Sequence, residues 1–462
     1  MLKVPLRWAR LLPGLLLTLG TGGAACAADG DLDPSFWGDG KVTVGGVDEY
    51  WAADDLEVAP NGRLVHAGLV GGTTSFFWQE LNDGPLGPVA CVFQPPGGAS
   101  GVYDAEIDFD AQGRLVLAGA VSYAGLGILP VIARFLYPDC TLDTSFDGDG
   151  YATYDLFTGD DFTLIRAFTI DSDGKYVLGG EHGSDLQPPG DWFLMRVLGT
   201  TGALDSSFST NGWLVDDFGG TAPSSEVWDL LTLVNLLGPD PIVAVGTAQQ
   251  GNGYRAALVK LTGSGGFDPI FGGGDGIILT LFDAAGAKGR AVARDPVGGR
   301  LYVAGVSAGP GQTLGGGIRS FTSTGEYDAG FGLVLLSDAD PFVHPERLLV
   351  DSLGRLVTAG YAAYIESGQE DFYVARHWPS GLPDTTFGDN GVVIVPFDLG
   401  TTGFEHDQAT AVVLQSGRIA LAGWVEVDDS SAKAAVVRLD VALIFADGYE
   451  RGNTGAWSST AL

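Results

Sequence analysis

The sequence predicts an all-β fold, a seven-bladed β-propeller of four-stranded antiparallel blades whose ring closes by pairing the N-terminal strand with the last blade. Three observations predict it. A turn-and-strand phrase ending in glycine recurs along the chain, a second phrase built on Asp and Phe alternates with it, and helical periodicity is nearly absent between them.

The first phrase reads Asn61-Gly-Arg-Leu-Val-His-Ala-Gly68, then Gln112-Gly-Arg-Leu-Val-Leu-Ala-Gly119, then Asp173-Gly-Lys-Tyr-Val-Leu-Gly-Gly180. It returns as Gly299-Arg-Leu-Tyr-Val-Ala-Gly305, Gly354-Arg-Leu-Val-Thr-Ala-Gly360 and Gly417-Arg-Ile-Ala-Leu-Ala-Gly423, with a weaker copy, Pro241-Ile-Val-Ala-Val-Gly246, between them. The seven closing glycines lie 51 to 66 residues apart. The second phrase is Leu32-Asp-Pro-Ser-Phe36, Leu142-Asp-Thr-Ser-Phe146 and Leu204-Asp-Ser-Ser-Phe208, with looser forms ending at Phe271, Phe331 and Phe387. Between the two sits a third strand such as Val131-Ile-Ala-Arg-Phe135.

Each repeat therefore holds four short strands. One precedes the Asx-Gly turn, one is the Gly-Arg-Leu phrase, one carries the Ala-Arg pair, and one comes after the Leu-Asp-x-Ser-Phe turn. The chain opens on a fourth-strand phrase with no blade before it, and its seventh repeat lacks one. Pairing the two predicts ring closure and removes two exposed edges. The phrases resemble the delta-60 repeat family of exported bacterial proteins over residues 32 to 440; the resemblance implies a β-propeller and no known activity. One boundary departs from the pattern: Leu86-Gly-Pro-Val-Ala-Cys-Val-Phe93 lacks the Asp and the correctly placed Phe. Residues 441–462 form a tail that resembles a short terminal motif of exported bacterial proteins.

Residues 1–27 have the three parts of a signal peptide: bases at Lys3, Arg7 and Arg10, an apolar run from Leu11 to Leu19, and the small-residue exit Ala25-Cys26-Ala27. The product is expected to be secreted or periplasmic in a bacterium, without a transmembrane segment, and a monomer. Loss of the three bases takes the formal charge from −33 to −36. That balance excludes nucleic acid, whose phosphates need a basic surface. Cleavage leaves Cys91 and Cys140, an even count that permits one disulfide or two thiols.

The connections of variable length share one face, and that face is acidic, with Asp48-Glu49, Asp160-Asp161, Asp216-Asp217, Asp338 with Asp340, Glu370-Asp371, Glu405 with Asp407, and Asp428-Asp429. Aromatics recur before the inner strand: Trp51, Tyr103, Phe162, Trp228, Phe342 and Phe404. Carboxylates are ligands for calcium, and aromatic faces stack on sugars or cations. The competing reading is that the acids keep an exported protein soluble while the aromatics fill gaps between blades.

Counting back five and seven residues from the turn glycine places Asp55, Glu57, Glu106 and Asp108 on inner strands, with Arg294 and Arg347 in equivalent places. These charges either hold a polar ligand, act as acid and base, or line a watered channel. Gly305-Val-Ser-Ala-Gly309 fits a nucleophile-elbow pattern but lacks the strand-to-helix context the chemistry requires. Two functions are expected. One is a non-enzymatic binding or scaffold protein engaging a glycan, protein or small ligand on its acidic loop face, with calcium as the metal that face would take. The other is a carbohydrate-active lyase or glycosidase working through carboxylates at the channel mouth.

Overall fold

The computed structural model describes residues 28–441 except 47–48, 72–74, 82–89, 158–160, 185–189, 218–224, 252, 281, 283–285, 308–314, 338–340, 366, 401–404 and 429. The expected signal peptide, most of the tail and Phe404 lie outside the described residues. Those described form strands, turns and loops, with no helix among them.

Hydrogen bonding sorts the strands into five four-stranded antiparallel sheets and one nine-stranded sheet. The larger sheet is one such group and a group of five, which adds the short strand Thr141–Leu142, joined where Ile128 and Phe162 form a single parallel pair. Each repeat begins with an inner strand, and these are Trp51–Val58, Gly101–Phe109, Phe162–Ile170, Glu226–Thr232, Lys288–Arg294, Phe342–Val350 and Asp407–Gln415. Every one pairs antiparallel with the Gly-Arg-Leu strand or its weaker copy. The described end of the departing segment, Cys91–Phe93, is a strand: Cys91 pairs with Trp78, and the strand closes the first sheet. Cys91 and Cys140 are joined as a disulfide with Cα atoms 5.4 Å apart, tying that strand to the next repeat.

The N-terminal strand Lys41–Val44 is the fourth strand of the last sheet, pairing Val42 with Val436 of Ser431–Leu439. One buried cluster joins Val42, Ala53, Leu56 and Phe77 to Ala411, Ala422 and Val436, so the first and last repeats pack on each other.

Both repeated phrases have a structural cause. In the second, the Asp caps its own turn and clamps an arginine. Asp205 accepts from Ser207 N at 3.0 Å and Arg196 Nε at 2.8 Å, and the Arg196 guanidinium lies 5.0 Å from the Phe208 ring. Arg196 Nη1 then donates to Gly263 O of the next repeat at 2.6 Å. Asp33 with Arg438, Asp143 with Arg134 and Asp384 with Arg376 repeat the clamp. Despite burial, hydrogen bonds from Ser207 and Lys175 hold the Asp205 carboxyl well below the usual range.

The closing glycine answers a backbone requirement. A Cβ at Gly68, Gly180, Gly246, Gly360 or Gly423 would overlap a carbonyl oxygen of the facing inner strand, belonging to Ala52, Leu164, Glu226, His344 or Gln408. In six inner strands the register slips by one residue immediately after the one that faces this glycine. In Gly101–Phe109 it slips immediately before, at Asp104, whose φ is 42°. A bulge bends the strand and re-aims one side chain.

Candidate functional site

The seven bulged residues are Asp54, Asp104, Arg166, Trp228, Arg290, Glu346 and Thr410. Six of them, with Glu106 and Arg347, line one cavity of about 100 Å³. A second cavity of about 180 Å³ is lined by Asp55, Glu57, Glu106, Asp108, Asp229 and Arg347 among others. Inner strands run from the loop face toward the turn face, so the first cavity lies on the loop side of the second. Glu106 and Arg347 border both, joined by a 2.7 Å ion pair.

Around the first cavity, Arg166 Nη1 lies 3.3 Å from Asp104 Oδ2 and Arg166 Nη2 lies 3.0 Å from Glu181 Oε1. Arg290 Nη1 stands 3.8 Å from Glu346 Oε2. The Arg290 and Arg166 guanidinium groups lie 3.8 and 4.6 Å from the Trp228 ring centre. Burial, then the neighbouring Asp104 charge, pushes the Asp54 carboxyl well above its ordinary value.

Around the second cavity the carboxylates accept from backbone N–H groups of the next inner strand. Asp55 Oδ2 accepts from Ile107 N at 2.8 Å, Asp108 Oδ2 from Ile170 N at 3.3 Å, and Asp229 Oδ2 from Val292 N at 2.8 Å. In the same manner Asp54 Oδ2 accepts from Ala105 N at 3.0 Å. Burial raises Asp108 and Asp229 to about 6. Glu57 is pushed up by burial and then by the charges of Asp55 and Asp108. Burial opposes the charge on Arg347, but Glu106, Asp229 and Asp55 hold it protonated beyond its ordinary range.

The structure thus brings together Asp55, Glu57, Glu106, Asp108, Arg347 and Trp228 of the expected residues. Arg294 is a correction: it is exposed at the end of its strand and lines neither cavity. Its turn is one residue longer, with Gly299 N bonded to Asp295 O, four back, where Gly62 N reaches Ala59 O, three back. Counting from the turn glycine therefore lands one residue past the true equivalent, Ala293, and the inward arginine of this repeat is Arg290, at the bulge. Trp51 packs 4.8 Å from Phe77 and donates from Nε1 to Glu49 Oε2 at 2.8 Å. Tyr103 is half-buried opposite Ala120, Phe162 is fully buried, and none of these three residues lines either cavity.

Sequence reasoning misses Asp54, Asp104, Arg166, Arg290, Glu346 and Thr410. Their signal is the closing glycine, one strand away, which marks where the bulge falls. Of the acidic loop residues, Asp48, Asp160, Asp338, Asp340 and Asp429 lie outside the described residues. Glu370 is engaged by His406 at 3.0 Å and Gln408 at 2.5 Å. Among the described residues no group of three or more His, Cys, Asp or Glu is arranged to hold a metal ion, and no helix is long and apolar enough to cross a membrane.

Residues 354–387 match the model of a β-propeller domain of unknown function, DUF5122; they run from one Gly-Arg-Leu phrase through the next Asp-Phe phrase. No curated protein matches the sequence. Solved structures similar to the chain include a protein of unknown function from Dyadobacter fermentans, 12% identical, covering 87% of this chain and 98% of its own at a TM-score of 0.45. The BP39L lectin of Burkholderia pseudomallei is 12% identical and covers 84% and 97% at a TM-score of 0.45. A gluconolactonase of Xanthomonas campestris, XC5397, is 12% identical and covers 90% and 98% at 0.36. The chain is thus an all-β protein of antiparallel four-stranded sheets, one repeat of which matches a β-propeller domain.

Proposed function

We propose that the chain is an exported, non-enzymatic binding protein, a seven-bladed propeller closed into a ring by Lys41–Val44, which engages a glycan, protein or small ligand at its loop face and the cavity beneath it. The ring reading is supported by six inner strands that share two cavities, by the seventh, whose Arg290 and Val292 reach Glu346 and Asp229 on either side, and by the cluster that unites the first and last repeats. Export rests on residues 1–27.

One observation carries the choice of binding over catalysis. The carboxylates a lyase or glycosidase would use are already committed: Asp55, Asp108 and Asp229 cap backbone N–H groups of neighbouring strands, and Glu106 is paired with Arg347. A general acid or nucleophile needs a lone pair or proton directed at substrate. The test is a glycan and small-ligand screen on the mature protein, read by thermal shift and by product analysis. A bound ligand that raises Tm and is recovered unchanged is expected. Cleavage products that vanish in Glu106→Gln would overturn the reading.

A further inference from the structure

The cavity on the loop side carries chemistry beyond a generic binding face. Arg166 Nε, Trp228 Nε1 and Arg290 Nε are buried N–H donors with no hydrogen-bond partner among the described residues. They sit on three successive bulged positions, and Arg166 and Trp228 line the cavity itself. Buried donors are almost always satisfied, so a row of three points to an acceptor from outside the chain.

The charges decide what kind of acceptor. The guanidinium groups of the wall already serve carboxyls: Arg166 faces Asp104 at 3.3 Å, Glu181 at 3.0 Å and Glu226 at 4.0 Å, Arg347 faces Glu106 at 2.7 Å, and Arg290 faces Glu346 at 3.8 Å. An anion would satisfy the donors but add negative charge beside these carboxyls, and an ammonium, which has donors only, would leave the three N–H groups without an acceptor. A hydroxyl accepts from N–H and gives its own proton to a carboxylate oxygen, adding no charge. Asp54, which accepts from Ala105 N, stands as a further carboxyl on this wall. Size narrows the class. A cavity of about 150 Å³ holds benzene, so one of about 100 Å³ takes roughly four heavy atoms. Two adjacent carbons with two hydroxyls have that size.

Building on the binding reading above, we propose that this cavity takes a neutral vicinal diol, the edge of a polyol or of one sugar residue, with Arg166 and Trp228 donating to its oxygens and the Asp54 and Asp104 carboxyl oxygens accepting hydrogen bonds from its O–H groups. The test uses the mature protein and ligand-observed NMR with erythritol, acetate and methylammonium. Erythritol is expected to bind, the two ions are not, and Trp228→Phe is expected to weaken erythritol at least tenfold while keeping a ring beneath the arginines. Asp54→Ala is the second variant, with the same expected loss, should Trp228→Phe fold poorly. Preference for acetate or methylammonium, no binding of any probe, or erythritol binding that survives both substitutions overturns the proposal. A loop-face partner retained by Trp228→Phe while erythritol fails to bind the parent would sink this inference and leave the broader binding reading standing.

Discussion

Arg347 and Glu106 lie 241 positions apart in sequence and 2.7 Å apart in space, Nη2 to Oε1, on the wall between the two cavities. Arg347 is the cation that the surrounding acids share: the charges of Glu106, Asp229 and Asp55 all bear on it. A single guanidinium thus offsets three buried carboxyls from three inner strands.

Replacing Arg347 with Met leaves those acids unopposed. Removing one partner of a buried ion pair costs about 3–5 kcal/mol, and that loss is expected in urea unfolding at pH 7.5. It should shrink on acidification to pH 5, because protonated carboxyls no longer need the cation. Adding Glu106→Gln should recover part of it. A Met variant as stable as the parent at pH 7.5 would show that the pair is not a support of the fold.

The axial acids also set the pH dependence of the parent protein. Asp108 and Asp229 titrate at about 6 in the fold against an ordinary value of 3.8. Above pH 6 both are charged whether folded or unfolded, and the folded chain bears the burial penalty. Between about pH 6 and 4 the folded state holds the proton while the unfolded chain does not, so stability rises as pH falls, by up to about 3 kcal/mol for each group. Opposing them, Asp33, Asp143, Asp205, Asp268 and Asp384 are lowered in the fold, so their contribution is present above the unfolded value and lost as pH falls below about 4. The urea midpoint is expected to peak between about pH 4 and 6. A maximum at pH 7 to 8 would contradict the burial of these carboxyls.

The two repeated phrases are legible in the sequence because each solves a problem local to one repeat. Asp384 must cap its own turn and meet an arginine eight residues upstream, and Gly360 must yield its Cβ position to a facing carbonyl. Even the join between Lys41–Val44 and the last sheet can be read, from a phrase missing at one end and spare at the other. The cavity walls cannot be read that way. They depend on where each bulge falls, which is registered to the closing glycine, whereas turns of unequal length make the turn glycine a faulty ruler. That ruler selects Arg294 and passes over Arg290. No local pattern announces a pair such as Glu106 and Arg347, because three-dimensional closure alone brings them together.

Glycine substitutions should separate backbone fit from backbone entropy. A Cβ at Gly360 would overlap His344 O, so Gly360→Ala must abolish the bulge that displays Glu346. Gly38, at a φ of 92°, meets nothing within 4 Å. Gly38→Ala is expected to cost about 1 kcal/mol from its backbone conformation alone, and Gly360→Ala more than about 3 kcal/mol. Equal losses in thermal unfolding would mean that the closing glycine is not required by the bulge.

The Asp clamps should differ in strength by burial although their sequence phrase is the same. Asp384 is fully buried and accepts from Arg376 Nε at 2.9 Å and Arg355 Nη1 at 3.1 Å, so Asp384→Ala takes one buried charge-assisted bond from each guanidinium and leaves Arg376 to Asp29 and Arg355 to Asp351. Asp328 pairs with Arg300 at 3.3 Å, and that arginine is 46% exposed. Each buried hydrogen bond to a charged group contributes about 1.5–3 kcal/mol, whereas losing an exposed pair costs about 0–1 kcal/mol. Asp328→Ala also loses the turn cap to Gly330 N, worth about 1 kcal/mol. Asp384→Ala is therefore expected to lower stability by at least about 2 kcal/mol more than Asp328→Ala in parallel urea titrations. If the two losses match, the phrase acts through its turn cap, and the arginine contacts contribute nothing to holding one repeat against the next.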